Sequence, residues 1–166
     1  PDGTVVTTVA GEAGSFSGAR PGGVNDGDKI TVTATDEAGN TSGEATETVD
    51  AVAPGKPSVD PVNGHDVITG HAEAGSTVTV KYPDGSTETV VAGADGSFTA
   101  PNPGMDNGDK ITVTATDPAG NTSGETTATV DAVAPNVPKV DAVTPTDPIT
   151  GEAEPGSTVT VKYPDG

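Results

Sequence analysis

Two long stretches of this 166-residue chain occur twice, 81 residues apart. Gly27–Pro54 returns as Gly108–Pro135 with three differences in 28 positions, Glu37/Pro118, Ala45/Thr126 and Glu47/Ala128. Asp66–Gly85 returns as Asp147–Gly166 with three differences in 20. A long period with near-identical copies marks a tandem array in which each unit is a small domain. Such arrays give length, stiffness and presentation. The repeat therefore argues against an enzyme before any motif is read.

A unit of about 81 residues is near the lower limit for a self-sufficient core. Aromatic bulk is scarce: two Phe, two Tyr, no Trp and one Met. Abundant Gly, Pro, Thr and Val suit short strands joined by tight turns. Cysteine is absent, so neither disulfides nor zinc-thiolate chemistry can staple the unit. No apolar run approaches the ~20 residues of a membrane span. The sequence begins inside a repeat, so any targeting segment is expected to lie outside it. A net charge of −18 argues against nucleic acid and anionic membrane as partners. The same acidity has two readings, a solvated self-repelling surface or carboxylates that bind a hard cation such as calcium.

One whole unit, Asp50 to Asp131, offers seven strands at roughly 57–62, 66–72, 76–82, 87–92, 97–100, 109–117 and 124–130. The clearest alternation is Lys110-Ile111-Thr112-Val113-Thr114-Ala115-Thr116, which puts Ile111, Val113 and Ala115 on a buried face and threonines on the wet one. Thr77–Lys81 repeats the pattern, and Ile68, Phe98 and Val130 are expected to complete the core. Turn residues punctuate the strands at Pro83-Asp84-Gly85, Ala94-Asp95-Gly96, Asn107-Gly108 and Pro118-Ala119-Gly120-Asn121. The pattern predicts an all-β chain of tandem immunoglobulin-like β-sandwiches, seven strands each, end to end. Residues 1–50 then supply the last four strands of one unit, 51–131 a complete unit, and 132–166 the first three strands of the next.

The string Ile68-Thr69-Gly70, Ala72-Glu73-Ala74-Gly75-Ser76-Thr77-Val78-Thr79-Val80 and Pro83-Asp84-Gly85 resembles the bacterial immunoglobulin-like repeats of large surface adhesins. Gly96-Ser97-Phe98, Asn107-Gly108-Asp109, Ile111–Asp117, Ala119-Gly120-Asn121 and Asp131-Ala132-Val133-Ala134-Pro135 fit the same pattern. Relatives of this kind are the biofilm-associated proteins, the enterococcal surface protein and giant type I-secreted adhesins. The resemblance implies an extracellular stalk on a bacterial surface, rigidified by calcium at domain junctions, that serves adhesion and biofilm formation.

With strands running alternately up and down, loops 73–75, 93–96 and 117–121 fall where the chain enters the sandwich, beside Asp50. Loops 63–66, 83–85 and 102–109 fall at the opposite end, beside Asp131. A junction then gathers Asn25, Asp26 and Asp28 from one unit, Asp50 from the linker, and Glu73, Asp117 and Asn121 from the next. Asp109 and Asp131 take the corresponding places one unit on. Several oxygen donors from three segments suit a six-to-eight-coordinate Ca²⁺, and like-charge repulsion would oppose the cluster without a cation. The plainer reading is that Asp and Asn close turns, Asp117 and Asn121 a hairpin among them.

Other candidates are weaker. His65 and His71 have Thr146 and Glu152 as counterparts, so neither belongs to the repeated design. No serine has a repeated histidine partner, so a nucleophile–base pair is unsupported. Without aromatic platforms the carboxylates make a poor glycosidase. Thr31-Val32-Thr33-Ala34-Thr35 reads as the wet face of a sandwich rather than an ice-binding lattice. The favoured function is a structural extender whose partners are neighbouring repeats. The alternative is a ligand-binding module recognising a glycan, a host protein or a like repeat on another cell.

The two terminal parts make one complete domain between them, with Pro1-Asp2-Gly3 and Pro164-Asp165-Gly166 as the same turn. Neither part alone can bury Ile30 and Val32, or Val159 and Val161. Copies are expected to complete one another, head to tail, as a fibre through a crystal.

Overall fold

Branched apolar residues alternating with threonine make Lys110–Thr116 the longest strand, with one face for the core and one for water. In the computed structural model, which describes residues 3–163, every regular element is a strand. In chain order they are β1 (Lys29–Val32), β2 (Ala45–Thr48), β3 (Ser58–Val59), β4 (Ile68–His71), β5 (Thr77–Lys81) and β6 (Thr87–Val91). They continue as β7 (Ser97–Ala100), β8 (Lys110–Thr116), β9 (Thr126–Thr129), β10 (Lys139–Val140) and β11 (Gly151–Glu152). The turns Pro1, Asp2 and Pro164–Gly166 of the repeat lie outside the described residues.

Strands β3 to β9 form a sandwich of two antiparallel sheets, one ordered β3-β4-β7 and the other β6-β5-β8-β9. This is the immunoglobulin-like architecture expected from the alternation. Strand β5 is central to the larger sheet, with Val78 opposite Ala115 of β8 and Val80 opposite Val113. Ile68, Val78, Val80, Phe98, Ile111, Val113 and Val130 are buried, as their alternation requires. Val62, Tyr82, Ala92, Ala100 and Met105 join them. The sole methionine thus fills the trailing end of the core, a use its flexible thioether suits. Tyr82 turns inward at the end of β5, and its hydroxyl donates to the Pro101 carbonyl at 2.6 Å. Burial, with Glu88 and Asp84 nearby, raises the phenol above its ordinary value of 10.0.

The first strand is shorter than the expected 57–62. Only Ser58 and Val59 pair with β4, while Val62 forms an isolated parallel bridge to Val130 of the other sheet. Proline explains the switch: Pro61 has no N–H for a ladder, so the chain leaves one sheet there and rejoins the other.

Gly70, at the centre of the smaller sheet, faces Val59 on one side and Phe98 on the other. A Cβ here would overlap the Ser58 carbonyl oxygen and lie 2.7 Å from Phe98 Cζ. The ring of Phe98 occupies the place a side chain at position 70 would need.

The flanking stretches repeat the local geometry of the complete unit. Hairpin β1–β2 pairs Lys29 with Thr48 and Ile30 with Glu47, as β8–β9 pairs Lys110 with Thr129 and Ile111 with Ala128. Strands β10–β11 pair Val140 with Gly151, as β3–β4 pairs Val59 with Gly70. Of the four strands expected in 1–50 only β1 and β2 form, and of the three expected in 132–166 only β10 and β11. The others lack the neighbouring strand that would satisfy their backbone groups.

Candidate junction site at the two ends of the sandwich

The chain enters the sandwich at one end of β8 and leaves at the other. At the leading end, Asn121 Nδ2 donates to the Asp50 carbonyl at 3.2 Å. The loop that holds Asn121 follows β8. Asp117 closes it by accepting from Asn121 N at Oδ1 and Asn121 Nδ2 at Oδ2, each at 2.8 Å. Gly120 completes the turn at φ +93°, a conformation glycine adopts without strain. At the trailing end, Val130 N donates to the Asp109 carbonyl at 2.8 Å and Asp131 N to the Val62 carbonyl at 2.8 Å. Asn102 Nδ2 reaches the carbonyls of Asn63 and Asp66, both at 2.9 Å, which ties loop 63–66 to loop 102–109. The sorting of loops inferred from alternating strands matches these contacts.

Each junction is closed by a side chain that grips the departing linker. Asp26 Oδ1 accepts from Ala51 N at 2.9 Å, and Asn107 Oδ1 accepts from Ala132 N at 3.1 Å. These are the same position in successive copies. Aspartate and asparagine make the same bond there, so the bond itself needs an oxygen and no charge. Asp28 and Asp109 each accept from the backbone three residues earlier, Asn25 N at 2.7 Å and Asp106 N at 3.0 Å. Asp50 and Asp131 each brace the linker by accepting from Val52 N and Val133 N, both at 3.1 Å.

The structure brings Asp26, Asp50 and Asn121 to the same linker from two sides, and pairs Asp117 with Asn121. Glu73 is exposed in loop 73–75, where its carbonyl, rather than its carboxylate, accepts from Ser76 Oγ at 2.7 Å. Asp109 and Asp131 stand at the opposite end of the sandwich. Among the described residues no three carboxylates or imidazoles converge into a group that could hold a metal. As placed, all the predicted ligands but Glu73 hold a turn or a linker through their side chains. Sequence reasoning passed over Asn107, whose grip on Ala132 is visible only from its equivalence to Asp26.

The turn carboxylates carry a pH dependence. Hydrogen bonds from the Asn121 side chain, and then from the backbone N–H groups of loop 119–121, outweigh burial and hold Asp117 below the ordinary 3.8. Asp36 is lowered in the same way by Asn40, Asp84 by Ser86 and Asp95 by Ser97. A carboxyl whose folded pKa is depressed stabilises the fold above its unfolded pKa and loses that contribution as pH falls through the folded one. The melting temperature is therefore expected to hold from neutrality into the weakly acidic range and to drop once pH passes below about 4. Asp117→Asn removes the titrating group and turns one of its two accepting oxygens into a donor, so the variant should melt lower at neutral pH and its acid-side melting curve should be flatter. Calorimetry across pH measures both.

The bacterial Ig domain family matches residues 53–132. No curated protein matches the sequence. Among solved structures, one is the BSP domain of a biofilm associated protein, at 27% identity and a TM-score of 0.45, covering 77% of this chain and 22% of that one. Another is the Bacteroides ovatus mixed-linkage glucan utilization locus SGBP-B in complex with a mixed-linkage heptasaccharide. It is 18% identical with a TM-score of 0.39, covering 87% of this chain and 40% of that one. The chain thus spans well under half the length of either, and at these TM-scores neither alignment fixes which residues correspond. The sandwich of β3 to β9 coincides with the stretch that the bacterial Ig domain family matches, residues 53–132.

Proposed function

We propose that the chain is an extender repeat of a bacterial cell-surface adhesin, one of a series of sandwiches set end to end to hold an adhesive part away from the cell. The observation that carries this reading is the placement of the two linkers. Asp50 sits against the loop after β8, and Ala132 against the loop before β8. A chain that enters at one end of its longest strand and leaves at the other adds length with every unit. The acidic surface keeps such a stalk soluble and apart from its neighbours.

Calcium at the junction belongs to the same proposal, with Asp26, Asp50 and Asn121 as the nucleus of the ligand set. The hydrogen bonds of Asp26 and Asp50 use Oδ1 of each carboxylate. The second oxygen of each carboxylate is left for an ion, and the linker can add backbone carbonyls. Six to eight oxygens would have to draw in around the ion, and the cation would offset the repulsion among the carboxylates that line the junction. An ion bound only by the ordered junction stiffens it without being needed to fold either sandwich.

Small-angle scattering of a four-repeat polypeptide in calcium and in EGTA tests this. Expected is a longer, stiffer particle in calcium, with circular dichroism unchanged. Asp50→Ala should reproduce the chelator effect at its own junction. Asp26→Asn keeps the bond to Ala51 N, as Asn107 does to Ala132, and removes the charge. Superimposable profiles in the two buffers would take calcium out of the reading and leave the junction to hydrogen bonds alone.

A further inference from the structure

One broad face of the complete unit does not share the acidity of the chain. The larger sheet turns Val78, Val80, Ile111 and Val113 into the core. Its outward positions on β5, β6, β8 and β9 are all threonine except Lys81, Val91 and Lys110. The strands of this face therefore carry two cations and no carboxylate, in a chain of net charge −18. Lys81 faces Thr112 across the ladder, two residues on from Lys110, so both cations stand at the trailing end of the sandwich.

The copies differ behind this face rather than on it. Strands β5 and β8 match Thr158–Lys162 and Lys29–Thr35 residue for residue. The edge strands do not. With Pro83-Asp84-Gly85 set on Pro1-Asp2-Gly3, β6 corresponds to Val5–Val9, and β9 corresponds to β2. Inward Glu88, Val90, Thr126 and Ala128 all change, to Val6, Thr8, Ala45 and Glu47. Outward Thr89, Val91, Thr127 and Thr129 return unchanged, and Thr87 becomes Val5, of the same branched shape. A face that meets only water has no cause to vary less than the positions behind it.

We propose that this face docks a second copy of the chain side by side, the smaller sheet of the second copy lying on the larger sheet of the first. Two acidic chains repel wherever carboxylates meet, and this face is where they do not. The smaller sheet supplies the opposite charge. Asp60 is exposed on its outward side, where Oδ2 accepts from Thr69 Oγ1 at 2.6 Å and Oδ1 makes no hydrogen bond. Asp66 follows in loop 63–66, at the trailing end. The pair recurs one unit on, with Thr150 Oγ1 donating to Asp141 Oδ2 at 2.8 Å. With the two chains parallel, Lys81 and Lys110 of one meet Asp60 and Asp66 of the other. Surface ion pairs are individually weak. Here the same contact returns once in every period of 81 residues, so parallel stalks add their contacts up. That addition rests on the end-to-end arrangement proposed above. Each stalk has one face of each kind, so association continues into a bundle rather than closing at two.

Sedimentation velocity of a four-repeat polypeptide tests this, with Lys81→Glu plus Lys110→Glu, or Asp60→Lys, placed in every unit. Unchanged melting is the folding control. The unaltered polypeptide should gain mean mass severalfold with concentration and return to monomer in high salt. Both variants should stay monomeric, although one adds negative charge and the other removes it. Mixed, they should associate again, because each altered face then finds its reversed partner. An unaltered polypeptide that is monomeric at every concentration overturns the proposal. So does association that survives in Asp60→Lys alone, since the larger sheet would then be meeting something other than the smaller one. Binding of polygalacturonate without self-association, lost in the lysine variant, would make the face a site for anionic glycan and overturn it too. Particle length against repeat number is unaffected by these outcomes, so the extender reading stands or falls separately.

Discussion

Gly70→Ala is expected to be among the most damaging single substitutions available in the complete unit, destabilising it by about 4 kcal/mol or more. Gly70 lies in the middle strand of a three-stranded sheet, with Ser58–Val59 on one side and Phe98 on the other. The added methyl would overlap the Ser58 carbonyl oxygen and press on the ring of Phe98. The ring can turn away only by leaving the core, and the carbonyl only by breaking the pairing of β3 with β4. A domain of this size has a total stability of only about 4–12 kcal/mol, so much of the population should be unfolded at room temperature. Urea denaturation of residues 51–131 measures the loss. An unfolding free energy within about 1 kcal/mol of the parent would mean that β3 does not lie where it is described.

Ile111→Ala should cost about 2–4 kcal/mol, the range for deleting a buried branched side chain whose cavity relaxes only in part. Ile111 is fully buried and packs within the cluster of Val78, Val80, Phe98 and Val113. The same substitution at its counterpart provides an internal control. Ile30 is 46% exposed and faces Glu47 across its hairpin. In dilute solution Ile30→Ala should leave the melting of the central unit unchanged. Paired melts of the two variants read this contrast between two residues of the same type and register that differ in what covers them and in their cross-strand partner, Ala128 or Glu47.

Much of the fold was legible because alternation and turn chemistry agree locally. Lys110–Thr116 and Thr77–Lys81 have the period of a half-buried strand and become the two central strands of the larger sheet. The misreadings have physical causes. The first strand was overextended because a Val-containing run hides the loss of an N–H at Pro61. Tyr82 continues the alternation of Val78 and Val80 just past the end of β5, whereas Met105 enters the core without a periodic signal, from a loop where packing decides burial. The partial units hold fewer strands than their sequence allows, because a strand forms only beside a partner. At the junction, alternating strand direction sufficed to bring Asn121 to Asp50 and loop 63–66 to loop 102–109. What it did not disclose was the division of labour among the carboxylates. The same Asp and Asn residues that suit a cation also close turns, and the distance between those roles is set by side-chain geometry.

The central claim is that one sandwich after another adds length along a single direction. The most direct measurement is the maximum dimension of polypeptides with one, two and four repeats, by small-angle scattering in calcium. Strand β8 alone spans about 23 Å at the rise of a β-strand, and with its loops and linker a unit should contribute a constant step of about 35 Å. A straight line of dimension against repeat number is the predicted result. Growth that falls off towards the cube root of mass would mean that the units fold back on one another, and would contradict the role of extender.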